Sequence, residues 1–386
     1  MNLYIFNPDH DLALATDSDH FDAPNSAKIF AEDFACLPCW FAQKNSSVFA
    51  KNVRLDWWQN MQSLFPQLQS ISLCNSIPKN IDFASPWGWN KTIRKFLEKQ
   101  GVSAVPSVEQ LNCLRELQHR KWAIEATKYI AKFDGKNLRL APPAMLLQEN
   151  EIENFVAEHP YSIFKAPWSG SGKGIVRSLG CLSENLLNRV KNMANKQGCV
   201  VAEPLYTVIQ DFAMEFYCTN SVTKFAGYSW FFTNEHGAYQ GNLLASDDYI
   251  AEKLSQWISK EQLATIKQRL IEFLDKTIAP NYSGYLGVDM FIYQQNGEIF
   301  IHPCVEINLR MTMGLVARLF YDKYVGQGKI GRYFVDYFTN SSELVAEHTK
   351  QSENKLIVAD GKIQKGYMSL NPIDEASHYR ARVEII

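Results

Sequence analysis

Four side chains on one short hairpin, Asp289, Glu306, Asn308 and Arg310, have the types needed to hold a metal ion and the phosphates it carries. Asn296-Gly297 is a preferred two-residue hairpin turn, which pairs Gln295 with Glu298. Continuing that register sets Asp289 opposite Cys304 and Gly287 opposite Glu306, so Asp289 and Glu306 become diagonal neighbours about 7 Å apart. Alternation then puts Glu306, Asn308 and Arg310 on one face and Val305, Ile307 and Leu309 on the other, toward a core. Two carboxylates and an amide oxygen are hard donors of the kind magnesium requires, and Arg310 adds a forked donor for phosphate. The plainer alternative is an exposed face with an ordinary ion pair. Like charges set diagonally are unfavourable without a cation between them, which favours the metal. Pro303 lacks an N–H for the ladder and marks a point where a bulge would shift the register.

A second group of residues lies upstream. Lys165 ends an apolar strand and is followed by Pro167-Trp168-Ser169-Gly170-Ser171-Gly172-Lys173-Gly174. Such a loop exposes successive backbone N–H groups that can cradle phosphate oxygens. It is not a Walker loop, because Gly174 stands where Ser or Thr is needed, and Ile175 breaks the dinucleotide fingerprint. A flexible turn beside a solvated lysine reads the same residues equally well. Further on, Cys199 to Ala202 forms a buried strand that runs into Glu203-Pro204-Leu205. There the backbone must leave the sheet and could present Glu203 and Leu205 to an adenine edge. Asp211 and Glu215 are candidates for a ribose hydroxyl, or plain solvated carboxylates.

The elements that position these groups alternate along the chain. Leu3 to Phe6 and Ser70 to Cys74 read as strands, Asn90 caps a helix to Lys99, and Ser107 with Gln110 is spaced as a capping box. Tyr161 to Ala166 reads as a strand, Ser183 to Lys196 as a helix, and Lys260 to Lys276 as a long helix with Leu263, Ile266, Leu270, Phe273 and Leu274 on one face. Lys355 to Ala359 and Arg380 to Ile386 are strand-like and look appended. The chain has 386 residues, 46% hydrophobic and 21% charged, with a formal net charge of -2. That suffices for two or three domains. With no basic run, neither nucleic acid nor an anionic membrane is an expected partner. The N-terminal run reaches Asp9 without a basic segment and reads as a strand, not a signal peptide. No stretch is long enough to span a bilayer, so the cytoplasm is expected. Cys36 and Cys39 lack the second pair a zinc site needs; buried apolar residues or a redox dithiol remain.

Taken in order, these segments resemble the ATP-grasp superfamily over about Gln118 to Leu319. The matching pieces are Lys121 in His119-Arg120-Lys121-Trp122-Ala123, Lys165 with its loop, Glu203-Pro204-Leu205, Asp289 in Gly284-Tyr285-Leu286-Gly287-Val288-Asp289, and Glu306-Ile307-Asn308-Leu309-Arg310. Leu309 stands where many members have Pro. The resemblance implies an α/β and α+β chain: an N-terminal α/β domain over 1–115, a small lobe over 116–206, a large lobe over 207–335 and a β-containing C-terminal extension over 336–386. It assigns ATP phosphates to Lys121, Lys165, Ser169, Gly170, Ser171 and Gly172, adenine to Glu203 and Leu205, and magnesium, as two ions, to Asp289, Glu306 and Asn308. Arg310 and Lys165 take the catalytic roles.

The activity so implied is an ADP-forming ligase that converts a carboxylate to an acyl phosphate for attack by an amine, with small molecules as both partners. A kinase on the same scaffold and a non-catalytic ATP module are the rival readings, and a homodimer is compatible with either. Charge stabilisation and positioning carry phosphoryl transfer, so cations and metal ligands are the expected residues. His10, in Asn7-Pro8-Asp9-His10-Asp11, and Trp87 and Trp89, in Pro86-Trp87-Gly88-Trp89-Asn90, follow strand ends where substrates bind in open α/β layers. A turn cap and domain packing are the plainer roles for them.

Overall fold

A computed structural model describes residues 1–52, 54–132, 138–170, 174–234 and 237–386. Three sheets organise the chain. Strands Asn2–Ile5, Ser46–Phe49, Ile71–Cys74 and Phe83–Pro86 form a wholly parallel sheet. Strands Met145–Leu147, Tyr161–Lys165, Ile175–Leu179 and Val200–Pro204 form a second, antiparallel sheet. The third sheet has nine strands. It begins at the Gly284–Gln295 and Glu298–Asn308 hairpin, continues through Thr207–Thr219, Val222–Thr233 and Tyr239–Leu244, and then takes in Gly331–Tyr337, Tyr379–Ile385, Lys362–Ser369 and Ile357–Ala359. The last strands therefore extend the large lobe's sheet, and the expected boundary after residue 335 falls inside a strand.

Local sequence explains much of this. Asn90 accepts from Ile93 N at 2.9 Å to cap Lys91–Lys99, and the Ser107–Gln110 capping box forms. The five apolar residues expected on one face of Lys260–Thr277 are all buried, in one core with Val288, Met290, Ile292, Ile307 and Leu309. Asn296 and Gly297 both have positive φ, 52° and 81°, which this hairpin turn needs. A separate core joins Phe6, Trp40, Trp58 and Trp87 of the N-terminal domain to Leu315, Phe320, Ala381 and Val383. Cys36 and Cys39 lie in it as free, buried thiols, and burial pushes Cys36 up to about 12.

Candidate active site

The hairpin register departs from the expected one at the point Pro303 marks. Gln295 pairs with Glu298 and Phe291 with His302, but beyond a bulge Asp289 faces Glu306 directly and Gly287 faces Asn308. The two carboxylates are thus direct, not diagonal, neighbours. The shift is two residues, so Glu306 and Asn308 stay on the expected face; a one-residue slip would have turned them into the core. Its cost falls on Val305, which is only half-buried in a small side cluster while Cys304 takes the core position.

Three rows cross this face of the sheet. Ser229, Ala213, Asp289 and Glu306 form the middle row. On one side lie Asp211, Phe291 and His302; on the other lie Gly227, Glu215, Gly287 and Asn308. Small residues at 213 and 287 leave space above the carboxylates, and a Cβ on Gly287 would overlap a Glu215 oxygen. Asn308 Nδ2 donates to Asp289 Oδ2 at 3.1 Å. Burial, and then the charge of Glu306, push the Asp289 carboxyl up to about 7.

Cations approach from the small lobe. Arg120, at the start of the Lys121–Ala131 helix, is buried. Its Nη2 lies 2.9 Å from Glu306 Oε1, and its Nε donates to Ala166 O at 3.1 Å and so ties the helix to the glycine-rich turn. Lys121 instead turns to solvent and pairs with Glu116. Neighbouring helical residues point about 100° apart, so Arg120 is the one directed at Glu306 and Lys121 is not. Ser169 accepts from Arg120 Nη2 and Gly170 lines the cavity; Ser171 and Gly172 lie outside the described residues.

Lys165 is buried against Glu203, whose second oxygen lies 3.0 Å from His302 Nε2. Burial alone would raise the Glu203 carboxyl, but Lys165 and His302 outweigh it and hold the group well below the usual carboxylate range. Glu203 thus acts through its side chain, holding Lys165 beside the first row. The Leu205 N–H donates to Tyr161 O at 3.0 Å, so it is not presented to an adenine edge, contrary to expectation. Asp211 is in the row that holds His302, the partner of Glu203, and accepts from Thr233 Oγ1 at 3.0 Å. Glu215 lies beyond the Asp289–Glu306 row, on the side away from Glu203, which does not suit a ribose contact.

The N-terminal loops close the other side. His10 is fully buried, its Nε2 2.9 Å from Gln118 Oε1 and its Nδ1 3.3 Å from Asn90 Nδ2; it props the two loops together and does not line the cavity. Its neighbour Asp11 does: Arg310 Nε and Nη2 donate to its two oxygens at 2.8 and 2.7 Å. Trp87 lines the cavity and packs edge-on to Phe6 at 4.9 Å, whereas Trp89 packs into the N-terminal core. Asp11 and Arg120 were both adjacent in sequence to expected residues, and only tertiary orientation separates them. The cavity itself is about 570 Å³ and reaches from Gly170 and Asp289 to Phe30, Val335 and Tyr379.

No protein-family model matches the sequence, and no curated protein matches it. The fold is nonetheless shared with solved structures. The chain superposes over its whole length on 87% of a biotin carboxylase from Campylobacter jejuni in complex with β,γ-ATP, with a TM-score of 0.50 and 10% identity. It also matches N5-carboxyaminoimidazole synthetase from Staphylococcus aureus (TM-score 0.49, 12% identity, 100% of this chain and 93% of that one) and the ADP complex of N5-carboxyaminoimidazole ribonucleotide synthetase (0.48, 16%, 100% and 91%).

The donor set fits magnesium. Among the described residues no three or more His, Cys, Asp or Glu side chains cage a metal by themselves. Two carboxylates and one amide suit an ion whose remaining ligands are phosphate oxygens and water. The proton on Asp289 makes this testable. The folded chain binds it more tightly than an unfolded chain, so this group adds stability below about pH 4 that is lost as pH rises through about 7. Magnesium needs the deprotonated form, so its stabilising effect should grow over the same rise in pH. Asp289→Asn is expected to remove both trends, and urea melts at about pH 5 and pH 8, with and without magnesium-ATP, measure this. An unchanged profile would exclude Asp289 as the ligand.

Proposed function

We propose that the chain is an ATP- and magnesium-dependent ligase that activates a carboxylate as an acyl phosphate and joins it to an amine, releasing ADP and phosphate. The observation that carries this reading is the convergence of Asp289, Glu306, Asn308 and Arg310 around one cavity, with Arg120 paired to Glu306. Its support from a relative is that the biotin carboxylase of like fold is seen in complex with β,γ-ATP. ATP supplies the phosphoryl group, and magnesium, as one or two ions, neutralises its charge. Asp289, Glu306 and Asn308 would hold the metal, and Arg120 and Lys165 would face the phosphates. Arg310, aimed by Asp11, would hold the oxygens of the substrate carboxylate and stabilise charge developing there. Trp87 and the N-terminal loops exclude water, to which an acyl phosphate is easily lost. No helix of the described chain is long and apolar enough to cross a membrane, and the cytoplasm, where ATP is made available, is the proposed compartment.

The test is phosphate release from magnesium-ATP across a matrix of amino acids and other small carboxylates, each with and without amines. Release only when a carboxylate and an amine are both present supports the ligase. ADP formation with a hydroxyl compound alone, with a stable phosphate ester and no free phosphate as the other product, would replace it with a kinase.

A further inference from the structure

The cavity does not stop at the metal row. It continues past Asp289 and Glu306, away from Glu203, into a chamber whose sheet side carries Glu215, Ser229 and Tyr239 and whose other walls include Phe30, Trp87 and Tyr379. Among the described residues its lining holds four acids, Asp11, Glu215, Asp289 and Glu306, and one basic residue, Arg310. Three of the acids have cations assigned. Asp11 is held by the Arg310 fork, and Asp289 and Glu306 face the metal position and Arg120. Glu215 has none.

Glu215 is 1% exposed, and its hydrogen-bond partner is the neutral Thr312 hydroxyl, at 3.3 Å. Burying a carboxylate with so little compensation is costly, and burial, then the charge of Asp289, push this one well above the usual carboxylate range; an ammonium bound beside it would relieve that cost. The chain also clears room for it: a Cβ on Gly287 or Gly314 would overlap its oxygens. Beside it, Ser229 Oγ accepts from Asn242 Nδ2 at 2.7 Å, and Asn242 Oδ1 accepts from Tyr239. These bonds hold two hydroxyl oxygens in place as further acceptors, and aromatic faces opposite them favour a cation.

We propose that this chamber binds the acceptor substrate as a primary ammonium carried on an apolar or aromatic body, with Glu215 as its counter-ion. Describing it as the acceptor rests on the ligase reading; the ammonium site does not. The same inventory argues against a phosphorylated acceptor. A phosphate needs several cations or N–H donors, and Arg310, the one basic residue among the described lining residues, is assigned to the substrate carboxylate.

The test is calorimetric titration of the full chain with benzylamine, benzyl alcohol and phenyl phosphate, each to about 10 mM, alongside thermal shifts with magnesium-ATP. Benzylamine is expected to bind at least tenfold more tightly than either analogue. Glu215→Gln, verified as folded by circular dichroism and a cooperative melt, is expected to lose that preference. Equal binding of the alcohol or the phosphate, no binding of benzylamine, or an undiminished preference in Glu215→Gln would overturn the site. Should the variant not fold, the wild-type comparison alone decides. An ammonium preference without any magnesium-ATP shift would uphold the site and sink the ligase; a magnesium-ATP shift without the preference would do the reverse.

Discussion

Glu306→Gln is expected to lower magnesium-ATP turnover by about 10³-fold, because a bound metal is worth several kcal/mol to phosphoryl transfer and each factor of ten is about 1.4 kcal/mol. The substitution keeps the shape of the side chain and an oxygen for Arg120, which lies 2.9 Å from Oε1. What it removes is the charge directly opposite Asp289. Relief of that repulsion should lower the Asp289 carboxyl from about 7, and the charge so freed on Asp289, which already feels Arg120, can answer that arginine, so the fold should stay intact. A loss of activity without a loss of stability therefore identifies a ligand. Steady-state kinetics and melts of the two proteins measure this, and a variant within tenfold of wild type would show that the metal is held elsewhere.

Glu203→Gln is expected to destabilise the protein by about 3–5 kcal/mol, the usual penalty for leaving one partner of a buried ion pair uncompensated. The Lys165 and Glu203 side chains are 8% and 3% exposed, so solvent cannot replace the missing charge. Lys165→Met combined with Glu203→Leu should recover most of the loss, because a buried pair exchanged for apolar residues of similar volume is often neutral. The double variant should also bind magnesium-ATP poorly, since the phosphate-side cation is gone. The pH dependence has a definite sign. Glu203 is held below its ordinary pKa, so it adds stability above about pH 4.5 that is lost as pH falls toward its folded value. The single variant should lack that acid-side loss. Urea denaturation over this pH range measures both effects, and a cost below about 1 kcal/mol would mean that Lys165 finds another partner.

The residues that are close in sequence were the ones sequence reasoning could place. The Asn296-Gly297 turn, the caps at Asn90 and Ser107 and the apolar face of Lys260–Thr277 each depend on residues within a turn or two of one another, where backbone geometry leaves few choices. Alternation along the hairpin likewise put Glu306, Asn308 and Arg310 on one face even though the register was wrong, because a two-residue bulge preserves parity. The same reasoning failed wherever the partner was remote. Arg310 meets Asp11 across 299 residues and Glu203 meets His302 across 99. Nothing local selects those pairs.

The sequence alone therefore determined the element types, the order of the motifs and the chemical kind of residue on the face that carries Glu306 and Asn308. Tertiary structure alone decided which side chain of each neighbouring pair is used. It set Arg120, not Lys121, against Glu306, put Asp11, not His10, in the cavity wall, placed Glu215 on the far side of the Asp289–Glu306 row, and committed the Leu205 N–H to Tyr161. The physical reason is that periodicity sets a residue's direction relative to its own element, whereas the position of that element against a strand or loop hundreds of residues away is set by packing of the whole core.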